Sequence, residues 1–277
     1  MPLDQIDVDN DLPAAQTGEK EMSFLDHLEE LRWHLVRGVS AIGVLAVIAF
    51  ASGQWVFDTI IMAPLDKGFI SYRIINSAIP GLEFYPPPDL ELIAVMFGEQ
   101  FIVHLKTSFV LGVVLSFPYL FWEIWRFIKP GLYPQERKAA RGIVGICSFL
   151  FIAGVAFGYF IIAPFAVTFL GSYSVGAVNA PTLSSFVNYM TMFTVPVGVI
   201  FELPIVVYFL AKVGLLYPQT MKSYRRHAFI IILILAAIIT PPDVVTQFLI
   251  GIPLYVLYEI SIRICSRVVK RAEAKRQ

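Results

Sequence analysis

The sequence predicts an all-α, polytopic membrane protein: six transmembrane helices in a concave, cupped bundle whose last two helices are short. Three observations predict it. Hydrophobic residues make up 57% of the 277-residue chain and charged residues only 15%. From Gly142 to Phe201 there is no Asp, Glu, Lys, Arg or His, a composition that no water-facing surface tolerates. Of the 21 Lys and Arg, all but Lys67, Arg73 and Lys106 fall on one side once the apolar runs are taken as crossings. Short loops rich in Lys and Arg resist translocation, so that side is the cytoplasm and both termini lie there.

Residues 1–22 are polar and contain Pro2, Pro13 and Gly18, which reads as a disordered cytoplasmic tail. They lack a basic start followed by an apolar stretch, so no cleavable signal peptide is expected. Residues 23–266 form the membrane domain. Ser23 with Asp26 makes a capping-box-like start, and Phe24, Leu28, Leu31 and Leu35 recur at helical spacing. An amphipathic surface helix therefore feeds a first span over 36–57. Residues 58–100 form a long outer loop punctuated by Pro64, Pro80, Pro86, Pro87 and Pro88, with room for short helical pieces. The second span covers 101–125. Lys106 is placed to snorkel near its outer end, and Trp122 and Trp125 mark its inner interface.

The stretch from Phe127 to Lys138 is the short bridge that ties spans two and three into a hairpin. The bases at the bridge are Arg126, Lys129, Arg137, Lys138 and Arg141, and its acid is Glu136. The third span covers 142–165, an uncharged loop follows over 166–188, and the fourth span covers 189–212. The fifth, 227–241, has a strongly apolar run from Ala228 to Thr240 that reaches roughly 20 Å against about 30 Å of hydrocarbon. A turn at Thr240-Pro241-Pro242-Asp243 leads to the sixth span over 244–265, interrupted by Pro253 and Glu259, and residues 267–277 form a basic cytoplasmic tail. Cys147 and Cys265 lie in different apolar runs and suggest neither a disulfide nor a metal site. The four histidines are scattered without metal-ligand spacing, and no cofactor is expected.

Glu202 is the sharpest anomaly. It sits midway along the fourth span, where a carboxylate costs about 2.5–3.5 kcal/mol to insert. It is either a packing glutamate bonded to a neighbouring helix or part of a polar patch that faces a cavity or a partner helix. Glu30 and Glu136 fall on the cytoplasmic face. Glu30 alone reads as an i,i+4 partner of His34. Together, and beside the aromatic Phe127, the two carboxylates are suited to gripping two guanidinium groups, which pair bidentately with carboxylates and stack on rings. Thr240 and Gln247 flank the last turn, either as ordinary interface polar groups or as a docking patch. No nucleophile elbow, phosphate loop, zinc motif or nucleic-acid module is present, so the chain is read as a non-enzyme that does not bind nucleic acid.

Four ordered motifs carry a family resemblance: Ser23-Phe24-Leu25-Asp26-His27-Leu28-Glu29-Glu30-Leu31-Arg32; Tyr133-Pro134-Gln135-Glu136-Arg137; Phe201-Glu202-Leu203-Pro204; and Thr240-Pro241-Pro242-Asp243. With their spacing and topology, the chain resembles TatC, the receptor core of the twin-arginine protein translocase, over about Met22 to Arg271. The resemblance implies that Glu30 and Glu136, with Phe127 and Arg32 beside them, bind the paired arginines of signal peptides on folded cargo. It implies that Glu202 is the buried intramembrane glutamate and that Thr240 and Gln247 dock small single-span partners like TatA and TatB. It also implies transport driven by the proton motive force across the bacterial plasma (inner) membrane, and self-association in a larger complex. The outer loop is longer than the family's usual pattern. The competing class is a proton-coupled small-solute transporter that uses Glu202, but such proteins carry internal repeats with matched broken helices, and none is visible here.

Overall fold

The computed structural model describes residues 24–274 except 80, 82, 88–89, 129–141, 177–178 and 241–243. The expected tail over 1–22, the bridge acid Glu136 and the Pro241-Pro242-Asp243 turn lie outside the described residues.

Helix α1 (Phe24–Ala51) is continuous, so the expected surface helix and first span are a single rod. The short α2 (Gly53–Val56), a π-helical turn (Phe57–Ile61) and a 3₁₀ turn (Ala63–Leu65) lead to α3 (Ile70–Ala78). Helix α4 (Glu99–Ile128) is the second span and carries Pro118 inside it. The third span is α5 (Ile143–Phe157), a π-helical turn (Gly158–Ile162) and α6 (Ala163–Ser172). The fourth is α7 (Leu183–Ile200) and α8 (Leu203–Lys212). The fold ends with α9 (Pro218–Ser223), α10 (Arg225–Ile239) and α11 (Val244–Ala274).

Five of these stretches are long and apolar enough to cross a membrane, and α10 completes the six-span bundle. The third and fourth spans extend beyond their expected ends, to Ser172 and back to Leu183. The uncharged loop imposed no solvent boundary, and Thr182 caps α7 by accepting from Ser185 N at 3.1 Å. The 15 residues of α10 rise only about 22 Å, short of the roughly 30 Å of hydrocarbon. The apolar part of the last helix ends near Cys265 as expected, but α11 itself continues to Ala274. Neither Pro253 nor Glu259 breaks it. The basic residues of its last turns favour the negative end of the helix dipole, and Glu259 is neutralised by Arg225 Nη2 at 2.7 Å.

Close backbone approach at glycine sets the packing. A Cβ on Gly154 would meet Gly198 Cα at 2.8 Å, and one on Gly158 would meet Phe193 O at 2.1 Å. Spans three and four are therefore in near backbone contact, the small-residue packing that membrane helices use where no hydrophobic force draws them together. The main core forms around this seam, with Ile162, Val187, Phe193, Val197, Ile250 and Leu254. Gly112 of α4 likewise seats against Ile42 and Ala46 of α1.

The outer loop is an ordered cap. Asn76 Nδ2 donates to Phe84 O and Phe84 N donates to Asn76 Oδ1, both at 2.9 Å. Tyr72 donates to Pro64 O at 2.8 Å. Burial pushes its phenol up to about 12, so it stays a donor at physiological pH. Glu99 fastens the cap to the fourth span. Its carboxylate accepts from Val95 N at 2.8 Å, Met96 N at 3.1 Å and Ser184 N at 2.9 Å, beside a single parallel bridge between Ile93 and Thr182. Lys106 does not simply snorkel, because its ammonium donates to Asn188 Oδ1 of α7.

Two outcomes follow. Gly158→Ala should lower the stability of the purified protein by about 1–3 kcal/mol through overpacking. Gly145→Ala, where a Cβ meets nothing within 4 Å, should be neutral or slightly stabilising; thermal unfolding in detergent compares them. Glu99→Ala should cost about 1.5–3 kcal/mol per lost charge-assisted bond, and limited proteolysis should then cut between Leu92 and Phe97.

Candidate functional site

The end of the bundle that carries Arg32, Arg37 and Arg126 is its basic end. There α1 runs against α4, with Gly38 fitted against Leu120 Cδ2 at 2.9 Å from a built Cβ. This contact aligns one face of α1 (Glu30, His34) with one face of α4 (Tyr119, Glu123, Phe127). The spacing of four residues along each helix puts these groups in register.

At the centre is His34, 7% exposed. Its Nδ1 makes a close hydrogen-bonded ion-pair contact with Glu123 Oε2. Tyr119 donates to the other Glu123 oxygen at 2.8 Å. On the opposite side of the ring, Nε2 lies 3.8 Å from Glu30 Oε1, so the i,i+4 pairing expected of Glu30 is present as a looser ionic contact. The Phe127 ring stands edge-on to the imidazole, with centroids 6.1 Å apart at 63°. Glu30 is half-buried, and its Oε2 has no hydrogen-bond partner among the described residues. Arg32 is exposed on the same helix, and Arg126 stacks over Trp122 at 5.5 Å. The structure thus brings Glu30 and Phe127 together around a buried histidine. Glu136 lies outside the described residues.

Glu123 was the group that sequence reasoning passed over, and His34 entered only as the i,i+4 partner of Glu30. A signal for Glu123 existed: it is an acid inside an apolar span, the same anomaly that singled out Glu202. Its position between Trp122 and Trp125 at the expected interface concealed it.

Glu202 sits in the break between α7 and α8. Pro204 stands in the first turn of α8, and the Glu202 carbonyl accepts from Ile205 N at 2.9 Å and Val206 N at 3.1 Å. Its carboxyl is buried against the third span, where the Cys147 thiol is the polar side chain that interacts with it. Its side chain therefore points into a helix–helix interface. A cleft between spans two, three and four holds about 280 Å³, is lined by Thr107, Val114, Ile152, Tyr159, Thr191 and Thr194, and does not include Glu202 in its lining. Thr240 is 4% exposed and donates back to Ala236 O at 2.9 Å. Gln247 is half-buried and donates to Leu233 O at 3.1 Å, tying α11 to α10. Among the described residues no group of His, Cys, Asp and Glu is placed to hold a metal ion.

A helical bundle with a short fifth crossing, an ordered outer cap and ionisable groups gathered at one end defines a multi-pass membrane protein. The family model for the Sec-independent protein translocase protein (TatC) matches residues 26–253. A TatC from Blattabacterium sp. is 38% identical over 91% of this chain and 98% of its own length. Another, from Desulforapulum autotrophicum, is 37% identical over 88% of this chain and 84% of its own. The crystal structure of the twin arginine translocase receptor TatC superposes with a TM-score of 0.70 at 33% identity, covering 87% of this chain and 99% of that one. The chain belongs to the TatC family, and it is a component of the Sec-independent protein translocase.

Proposed function

We propose that this chain is the signal-peptide receptor of the twin-arginine system. It lies in the bacterial plasma membrane with both termini in the cytoplasm and binds the arginine pair of signal peptides on folded cargo. The observation that carries this reading is Glu30. It stands half-buried at the basic end of the α1–α4 hairpin, with one oxygen beside His34 and the other without a partner among the described residues. A guanidinium pairs with a carboxylate that still lacks a hydrogen-bond partner and stacks on a nearby aromatic ring, here Phe127. Glu136 is the second carboxylate of this reading and Arg32 an accompanying cation, both on the cytoplasmic face by the distribution of Lys and Arg. Small single-span partners of the TatA and TatB kind dock along Thr240 and Gln247 at the α10–α11 hairpin, and the receptor assembles with further copies of itself. As a member of the TatC family the chain is read as a non-enzyme whose transport is driven by the proton motive force. The short α10 thins the bilayer beside the partner site.

Recognition by charge-assisted bonds of roughly 1.5–3 kcal/mol each sets the expected loss. Glu136→Ala should weaken binding of a twin-arginine peptide to the purified protein by about one to two decades. A twin-lysine peptide should bind less well than the twin-arginine one, because it lacks the bidentate fork, and raised salt should weaken both. Equal affinity of the wild type and the Glu30→Ala/Glu136→Ala variant would refute the receptor assignment. For the partner site, a photocrosslinker at position 247 should capture a single-span partner in membranes; crosslinks confined to other helices would move that site.

A further inference from the structure

The buried contact between His34 and Glu123 has no part in the recognition described so far. Glu123 is 2% exposed and lies within a membrane-spanning helix, where an unpaired carboxylate is costly. Both of its oxygens are engaged, Oε2 by His34 Nδ1 and Oε1 by the Tyr119 hydroxyl. A ring held at Nδ1 by a fixed carboxylate has one orientation, and here that orientation turns Nε2 toward Glu30 Oε1 at 3.8 Å. Phe127 closes the ring's flank. The second Glu30 oxygen is shielded from solvent and has no hydrogen-bond partner among the described residues. At such a site a charge-assisted bond from a ligand is strengthened by the low local dielectric.

We propose that Glu123 is a positioning residue for the ligand-binding carboxylate of Glu30. It acts through His34, whose imidazole it orients beside Glu30, so that the Glu30 carboxylate is kept in place for a guanidinium. The proposal rests on the receptor reading above. Tyr119 serves the same end one step further back, since it holds the Glu123 oxygen that His34 does not use.

The experiment is a double-mutant cycle on the full-length protein in detergent or nanodiscs, read as the dissociation constant of a fluorescent twin-arginine signal peptide. Glu123→Gln keeps the volume and can still accept from Tyr119, and it should weaken binding by about three- to thirtyfold. The same substitution made in a Glu30→Gln background should cause little further loss, because its effect travels through Glu30. A merely structural role for Glu123 would weaken binding by the same factor in both backgrounds, and that result, or no loss in the wild-type background, overturns the proposal. Breaking one member of a buried pair can unfold a protein. The His34→Gln/Glu123→Gln variant removes both members of the buried pair and should fold with the same Glu30-dependent loss of affinity; a folded double variant that binds like wild type also overturns it. If Glu30→Gln alone leaves affinity unchanged, the receptor reading fails at that step and the positioning role falls with it, whereas an intact Glu30 effect with additive Glu123 losses removes the positioning role only.

Discussion

Inside a slab of hydrocarbon, every ionisable or polar group has to find its partner within the protein, because no water is there to serve. The architecture follows from how each such group meets that demand. Glu123 is held by His34 and Tyr119, and Glu259 by Arg225. Lys106 is held by Asn188, and Glu99 by three backbone N–H groups. The contacts of His34 with Glu123, Arg225 with Glu259, Lys106 with Asn188 and Ser184 with Glu99 join segments far apart in sequence. The polar groups therefore act as cross-links that fix which helices are neighbours and in what register. Breaking the contacts of Glu123 or Glu99 leaves a buried carboxylate unsatisfied, which costs more than the contact itself contributes.

The close seams serve the same constraint for the backbone. Gly154, Gly158 and Gly198 bring spans three and four into near backbone contact, and Gly112 does the same for α1 and α4. The rigid first hairpin that results holds the basic end, where Glu30 and Phe127 stand on separate helices yet face one histidine. A recognition site on such a scaffold is preorganised, so a ligand need not order it on binding. Glu202 is the exception among the buried acids. It lies at a proline-marked break in the fourth span, beside the Cys147 thiol rather than an opposite charge. The break gives its backbone carbonyl two partners, while its side chain occupies an interface between helices that the glycine seam holds together.

Much of this was legible in the sequence, for reasons that are local. The long apolar runs, the bias of Lys and Arg to one side, the inadequate length of the fifth crossing and the proline that breaks the fourth all express single-segment physics. The candidate residues Glu30, Glu202, Thr240 and Gln247 were visible as polar groups out of keeping with their surroundings. What that same kind of information did not show is that Lys106 donates to Asn188 of another span and that the surface helix and the first span are one rod. Hydropathy does not report a partner on another helix, and a continuous helix carries no signal where it leaves the interface.

The amino-acid sequence by itself determined the number of crossings, the polar punctuation and the family, because each depends on composition and spacing along one stretch of chain. Only the tertiary structure decided that His34, Glu123 and Tyr119 form one buried group behind Glu30, that Glu99 staples the outer cap to the fourth span, and that Glu202 faces Cys147. Those outcomes depend on the rotation and depth of one helix against another. That register is set by glycine seams and by the need of every buried polar atom for a partner, neither of which is written in any single segment.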